Sequence, residues 1–320
     1  MLLLDHGGAG PSCLSFSPDS RMLAVCDGSR VSVWNHLTGD LLHQPRVRHT
    51  VSCLVFTTPR NLVLAGGAIS RWTPSRAATP WWSWPMGLTV AAVCASPSGR
   101  NLYVAANRHR DDCGMVVRSS SSGSVSRQLF LRGTAVFDAT VHAPTNRVAV
   151  AASGMLLQWN AMAPKDSLRS WTQRIPADQP SRSSIPSIAR LVGDGGGEIL
   201  GVEREFRSVV YSPDGRLLAA AAGESVEVWD AHDARRFETL AHHDAEVRAV
   251  AWSPDGRWLA SGGDDETVVL HDVARRRIVA RYNWGVGRVR AIAFAPDGMT
   301  VAAACDQSVA VWDVEEPSSC

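Results

Sequence analysis

The sequence lacks the patterns that would place it in several common classes. No window approaches about 18 uninterrupted apolar residues, and no basic residue precedes the three N-terminal leucines. Basic residues number 32 against 31 acidic residues, a formal net charge of +1, so the basic excess of a phosphate-binding surface is missing. We therefore expect no membrane span, no secretory signal and no nucleic acid as the main partner.

Cysteine patterns typical of metal or redox sites are also missing. The seven cysteines include no C-x-x-C pair and no close Cys/His cluster. An odd, scattered set is typical of small buried side chains in a reducing compartment. The sequence thus predicts a cytoplasmic protein without a metal or another cofactor.

Signatures of catalysis are absent too. The chain has no G-x-S-x-G elbow, no G-x-x-x-x-G-K-[ST] phosphate loop and no H-E-x-x-H helix. The glycine-rich stretch 194–198 lacks the following Lys-Ser/Thr, and the adjacent side chains of His242 and His243 would point apart on a strand. No residue is therefore predicted to be catalytic, and the protein is not expected to be an enzyme.

A repeated proline turn organises the chain. Pro, a polar residue and then Gly, Asn or Ser stand between two apolar runs, and successive prolines are 41, 38, 47, 69, 41 and 42 residues apart. Proline presets its own φ, while Gly or Asn tolerates the positive φ that reverses the chain. Seven β-hairpins are predicted, with prolines at Pro18, Pro59, Pro97, Pro144, Pro213, Pro254 and Pro296.

An alternating strand follows each hairpin, and in five repeats it ends in tryptophan: Trp34, Trp72, Trp159, Trp229 and Trp312. His271 takes this position in the sixth repeat, and the third repeat has Arg118-Ser119. With Asp230, Asp272 and Asp313 directly after, the pattern resembles the WD40 repeat family, whose 40 to 45-residue repeat ends in Trp-Asp and folds as one propeller blade.

The resemblance implies an all-β fold, a seven-bladed β-propeller of four-stranded antiparallel blades, with residues 1–320 as a single domain. In the family each repeat is offset from the blade, so the N-terminal leucines should form the outer strand of the last blade and close the ring. A monomeric propeller is expected.

The family also carries a hydrogen-bonded tetrad of His, Ser or Thr, Asp and the Trp indole. The sixth repeat approaches it with His243, Ser261, Asp265 and His271. The seventh keeps Asp306 and Trp312. These six residues are predicted to be structural.

Two insertions interrupt the repeat. The longer, about 176–197, is rich in Ser, Pro, Gly and Arg, and it is expected to follow an outer strand near 168–172 on the face called the top. The shorter, 107–114, contains Arg108, His109 and Arg110 and should reach the same face. Either a binding role or neutral insertion fits such loops.

A tryptophan cluster lies in the segment predicted as the outer strand of the second blade. Trp82 and Trp84 would share one face of that strand, with Trp81 on the other. Exposed indoles could anchor a partner, whereas packed indoles would cover the neighbouring blade.

Three arginines stand in one register near the start of the inner strand. Counting six residues back from the turn proline gives Arg207, Arg248 and Arg290, with Arg288 beside them and Asp138 at the same count in the fourth repeat. Without a counter-charge these arginines would favour an acidic or phosphorylated peptide. The alternative is that the register is merely exposed to solvent.

The function predicted from these features is that of a protein–protein interaction scaffold, which binds a protein or peptide on its top face. The rival is a propeller enzyme or small-molecule-binding protein with its site at the mouth of the central channel. The counted residues at that mouth include one acid and no histidine, which favours binding over hydrolysis.

Overall fold

The computed structural model describes residues 1–5, 10–28, 30–45, 47–73, 76–82, 88–96, 101–108, 112–119, 125–132, 135–160, 197–202, 205–233, 235–241 and 243–314. Within these ranges no helix is long and apolar enough to cross a membrane. The following residues and ranges singled out from the sequence lie outside the described residues: Trp84, Pro97, His109, Arg110, His242, 168–172 and 176–196.

The described chain forms seven four-stranded antiparallel sheets. We number the sheets in chain order.

The N-terminal strand β1 spans Leu2–Leu4. Sheet 1 contains β2 (Cys13–Phe16), β3 (Leu23–Cys26), β4 (Val31–Asn35) and β5 (Asp40–His43). Sheet 2 contains β6 (Val51–Thr58), β7 (Asn61–Gly66), β8 (Ile69–Thr73) and β9 (Arg76–Trp82). Sheet 3 contains β10 (Leu88–Ala95), β11 (Asn101–Arg108), β12 (Asp112–Ser119) and β13 (Val125–Arg132).

Sheet 4 contains β14 (Val136–His142), β15 (Arg147–Ala152), β16 (Met155–Asn160) and β17 (Gly197–Val202), with a 3₁₀ turn at Ala143–Thr145. Sheet 5 contains β18 (Phe206–Tyr211), β19 (Leu217–Ala222), β20 (Ser225–Asp230) and β21 (Arg235–Ala241). Sheet 6 contains β22 (Val247–Trp252), β23 (Trp258–Gly263), β24 (Val268–Asp272) and β25 (Arg277–Tyr282). Sheet 7 contains β26 (Val289–Phe294), β27 (Thr300–Cys305) and β28 (Val309–Asp313).

The N-terminal strand β1 completes sheet 7. It pairs antiparallel with β28, with Leu2 opposite Val311 and Leu4 opposite Val309. Leu4 is buried with core residues of sheets 1 and 7, whereas Leu3 is 46 % exposed. Neighbouring leucines of β1 thus differ in burial, because successive side chains of a strand point to opposite faces.

The first strands of the sheets form the inside of the molecule. Each contacts the first strand of the next sheet, and β2 also contacts β26, so the sheets follow one another around a ring. Apolar clusters between neighbouring sheets supply the core, one of them between sheets 5 and 6. The predicted all-β propeller fold is confirmed.

The proline turns join the first and second strands at one end of the sheets, here called the bottom face. In three of them the serine before the proline donates its hydroxyl to the following aspartate, with Oγ–Oδ1 distances of 2.6, 2.6 and 2.5 Å. The aspartate also accepts the backbone N–H of the residue two positions on, as Asp214 does from Arg216 at 3.0 Å. These bonds explain why the Ser-Pro-Asp sequence recurs.

The long insertion does not lie where the sequence placed it. The outer strand of sheet 4 is β17, paired with β16 so that Gly197 lies opposite Trp159. Residues 161–196 therefore precede the outer strand in the sequence, and the strand ends on either side of them, Asn160 and Gly197, lie at the bottom face. The prediction of an outer strand near 168–172 and a top-face loop after it is wrong, because normal repeat spacing was assumed after Trp159.

The shorter insertion lies where it was predicted. Arg108 ends β11 and is paired with Asp112 at the start of β12, so the connection joins the middle strands of sheet 3 at the end opposite the proline turns, the top face. Trp81 and Trp82 end β9, the outer strand of sheet 2, as expected. For Arg108, Trp81 and Trp82 the structure describes the backbone.

Candidate functional site

The candidate site is a band of charged side chains on the top face of sheets 5, 6 and 7. Arg207, Arg248 and Arg290 are each the second residue of the inner strand, at a β-bulge. A bulge locally re-aims side chains and interrupts the ladder. The shared register predicted for the three arginines is therefore confirmed.

The predicted register of Asp138 is wrong. The hairpins of sheets 2 and 4 are one residue longer than those of sheets 5 to 7, so counting back from the proline misses the bulge by one position. Phe137 is the equivalent of Arg207, and the Arg207 guanidinium carbon lies 4.4 Å from the centroid of the Phe137 ring. Sheet 4 is also the neighbour of sheet 5 and does not lie across the ring from it.

Asp138 instead joins sheets 4 and 5. Its Oδ2 accepts hydrogen bonds from the Ser208 hydroxyl at 2.9 Å and the Val209 N–H at 3.0 Å. Its Oδ1 accepts the Ala139 N–H at 2.8 Å. Burial raises the pKa of Asp138 to about 6, although these hydrogen bonds act in the opposite direction. Asp138 thus lies at the interface between sheets 4 and 5 and links them through its hydrogen bonds.

Each arginine of the band has a carboxylate partner. Arg207 binds Glu205 at 2.6 Å and Glu246 at 2.8 Å. Arg248 binds Glu246 at 2.8 Å and holds Asp264 with two nitrogens, at 2.7 and 3.1 Å. The premise that these cations have no counter-charge is therefore wrong.

The remaining two arginines share one carboxylate. Asp306 accepts Arg288 Nε at 3.0 Å on Oδ2 and Arg290 Nε at 2.6 Å on Oδ1. Partial burial alone would raise the pKa of Asp306, but the hydrogen bonds from Arg288 and Arg290 lower it. Asp306 was assigned to the seventh tetrad, and that assignment is wrong, because its side chain belongs to this ion cluster.

We call these eight residues the rim network: Glu205, Arg207, Glu246, Arg248, Asp264, Arg288, Arg290 and Asp306. The hydrogen bond from Arg248 lowers the pKa of Asp264, and the nearby charges of Arg288 and Arg290 lower it further. The clusters of sheets 6 and 7 are thus electrostatically coupled. Four positive and four negative groups leave the rim network with no net charge.

Backbone contacts hold the carboxylates in place. In the turn after β23, the Asp264 N–H donates a hydrogen bond to the Glu246 carbonyl at 2.9 Å. In the equivalent turn after β27, the Asp306 N–H donates to the Arg288 carbonyl at 3.2 Å. Gly263 permits this approach, since a Cβ there would lie 2.5 Å from the Glu246 oxygen. The network is therefore built on the sheet ends.

Sequence reasoning missed the acidic half of this network. For two of the four carboxylates the signal was local, since Glu-x-Arg occurs at Glu205–Arg207 and again at Glu246–Arg248. Residues i and i+2 lie on the same side of a strand, which brings their side chains together.

A Ser–His–Asp arrangement occurs in sheet 6. His243 Nδ1 lies 2.8 Å from Asp265 Oδ2, and His243 Nε2 lies 2.8 Å from the Ser261 hydroxyl. The same hydroxyl lies 3.1 Å from His271 Nε2. This is the spacing of a hydrolase triad, but Ser261 is fully buried, so no substrate reaches its oxygen. The arrangement is the predicted tetrad with His271 in the tryptophan position.

Sheet 7 uses aromatic packing in place of a tetrad. The Trp312 ring centroid lies 4.6 Å from that of Trp284 and 5.4 Å from that of Tyr282. Trp312 Nε1 has no hydrogen-bond partner among the described residues. Tilted aromatic contacts thus take the place of the missing His and Ser around Trp312.

Within the described residues, no three His, Cys, Asp or Glu side chains are arranged to hold a metal ion.

Comparison with known families supports the repeat assignment. Residues 2–35, 235–272 and 282–313 match the family described as WD domain, G-beta repeat. The three segments include β1 and most of sheets 1, 6 and 7, and the segment 282–313 contains the complete Trp-Asp pair at Trp312 and Asp313. A search of curated proteins found no match. The chain therefore carries WD40 repeats at these three positions, arranged as blades of a propeller.

Proposed function

We propose that the protein is a non-enzymatic interaction scaffold that holds a protein or peptide partner against the rim network on its top face. WD40 propellers commonly serve as such scaffolds, although fold alone does not fix function. The observation that carries the proposal is the rim network itself, a rigidly held, partly exposed band across three neighbouring sheets.

The charge balance of the rim network favours a partner of mixed charge. Four arginines and four carboxylates give no net attraction for a purely acidic or phosphorylated ligand, which would also meet repulsion from the carboxylates. A partner segment that carries both acidic and basic side chains can bind the arginines and the carboxylates of the rim network together. Ion pairs between the partner and the rim network then replace ion pairs within the network. Arginine suits this exchange because its planar fork binds carboxylates with two nitrogens.

The candidate triad gives the enzyme alternative no support, since its serine is buried. The tryptophan cluster at 81–84 and the loop containing Arg108, His109 and Arg110 remain secondary candidate contacts. Arg108 approaches the top face as the rim network does, on sheet 3.

The test compares two triple variants of equal charge change. Arg207, Arg248 and Arg290 are replaced by Ala in one, and the exposed outer-strand residues Arg235, Arg277 and Arg281 are replaced in the other. A partner is captured from the native cell with the unmodified protein, purified and measured by calorimetry at about 0.1 M salt, where exposed charges still act over some 10 Å.

We expect the rim variant to lose at least about tenfold in affinity, equivalent to 1.4 kcal/mol, while the outer-strand variant binds as the unmodified protein does. Equal affinities for all three would contradict the role of the rim network. If the rim variant unfolds, the single substitution Arg290→Ala carries the test, since that side chain is 45 % exposed.

A further inference from the structure

Two cysteines form a pair near the top end of sheet 1. Cys13 on β2 and Cys26 on β3 lie directly opposite each other in the antiparallel register. Opposite residues of such strands have Cα atoms about 4.5 to 5.5 Å apart, within the 4.4 to 6.8 Å range that a disulfide requires. Cys26 is fully buried, whereas Cys13 is partly exposed on the inner strand.

The surroundings of Cys26 favour its thiolate. The hydrogen bond from the Cys13 thiol lowers the pKa of Cys26 most, against the effect of burial, and the Ser12 hydroxyl and the Gly28 N–H lower it further. The Ser12 Oγ lies 3.8 Å from Cys26 Sγ. The same bond between the two thiols, with burial, raises the pKa of Cys13. The thiolate of the pair is therefore favoured on Cys26, beside the protonated Cys13 thiol.

The other described thiols lack this environment. Burial raises the pKa values of Cys53 and Cys94 strongly and that of Cys305 to about 12. The Cys53 sulfur interacts with the Ala65 carbonyl of its own sheet at 3.9 Å. These three thiols are poor nucleophiles, so among the thiols that the structure describes the reactivity is confined to the Cys13–Cys26 pair.

We propose that Cys13 and Cys26 are an oxidation site, at which a water-sized peroxide converts the opposed thiols into a disulfide across β2 and β3. This proposal does not rest on the scaffold function.

The reaction balances with one molecule of hydrogen peroxide. The Cys26 thiolate takes the proton of the Cys13 thiol as the Cys13 sulfur attacks one peroxide oxygen; an S–O bond forms, the O–O bond breaks and the departing hydroxide takes up a proton from solvent. The Cys26 sulfur then attacks the Cys13 sulfur; the S–S bond forms, the S–O bond breaks and the departing hydroxide takes the Cys26 proton. Two thiols lose two electrons and two protons, and the peroxide becomes two waters.

The test is peptide mapping of the full chain after exposure to hydrogen peroxide. Arg21 separates the two cysteines, so trypsin puts Cys13 in peptide 1–21 and Cys26 in peptide 22–30. After free thiols are blocked, we expect these peptides to be joined, to separate on reduction with dithiothreitol, and to account for the loss of two of the seven thiols.

Matched variants sharpen the result. Cys13→Ser should abolish the joined peptide. The control is Cys53→Ser, which alters a buried thiol on β6, the inner strand of the neighbouring sheet 2, and it should leave the joined peptide unchanged. A disulfide involving Cys53, or irreversible oxidation of Cys13 without a joined peptide, would overturn the proposal. If Cys13→Ser does not fold, the mapping of the unmodified chain decides the question alone.

Discussion

The guanidinium of Arg207 lies over the ring of Phe137, 4.4 Å from the centroid, across the boundary between sheets 5 and 4. The same arginine binds Glu205 and Glu246, so one side chain links the rim network to an aromatic ring outside it. The stack needs the flat, weakly hydrated guanidinium, which a lysine ammonium does not provide.

Arg207→Lys should therefore cost stability although the charge is kept. We expect a loss of roughly 0.5 to 1 kcal/mol in the free energy of unfolding, measured by urea denaturation. Arg281→Lys on the exposed outer strand β25 is the control and should change it by less than about 0.5 kcal/mol. Equal losses in the two variants would show that the stack contributes nothing.

The two neighbouring leucines of β1 give a matched test of its packing. Leu4 is 2 % exposed and Leu3 is 46 % exposed, so Leu4→Ala removes core contacts and Leu3→Ala does not. Thermal and urea melts should show a loss of roughly 2 to 4 kcal/mol for Leu4→Ala, and under about 1 for Leu3→Ala. Similar small effects would mean that β1 is not packed in solution as described, and removal of residues 1–6 would then also leave the melting temperature unchanged.

Asp138 should make stability depend on pH between about 4 and 6. Its pKa is raised from 3.8 to about 6 on folding, so the folded state binds the proton more tightly in this range. Stability is then greatest when Asp138 is protonated and falls as pH rises through 6, by on the order of 1 to 3 kcal/mol.

The variant Asp138→Asn isolates this contribution. Subtracting its urea-melt profile from that of the unmodified protein removes the effect of the histidines, which titrate in the same range. The difference in the free energy of unfolding, unmodified protein minus variant, should decrease as pH rises from 4 to 6 and should be constant above pH 7. A flat difference throughout would contradict the raised pKa.

Ser261 should contribute to stability but should not react as a nucleophile. Ser261→Ala leaves the Nε2 atoms of His243 and His271 without the hydroxyl, which should cost roughly 1 to 3 kcal/mol in urea melts. A serine-directed fluorophosphonate should not label the folded protein, because the oxygen is buried. Labelling that disappears in Ser261→Ala would instead revive the enzyme hypothesis.

Local sequence patterns predicted much of the fold. The Ser-Pro-Asp turns fixed where each hairpin reverses because proline and the aspartate side chain determine the backbone there. The register of Arg207, Arg248 and Arg290 followed from equal spacing to these turns. The same rule failed for Asp138, because one extra residue in a hairpin moves every earlier side chain by one position.

The rest depended on contacts between distant residues. Asp264 and Asp306 face arginines 16 to 18 residues away, across the width of a sheet, and nothing in the local pattern assigns them. The outer strand β17 was missed because an insertion of 36 residues, 161–196, separates it from its partner β16, so the normal repeat spacing did not reach it.

The pairing of β1 with β28 also constrains the order of folding. The two strands are some 300 residues apart in sequence, so during synthesis β1 leaves the ribosome long before its partner exists. Until β28 arrives, Leu4 has no finished sheet to pack into, and sheet 1 lacks its neighbour from sheet 7. Contacts of such long range form slowly. Nascent chains should therefore expose the apolar residues between sheets 1 and 7 for most of their synthesis. We expect a chaperone to bind at these residues.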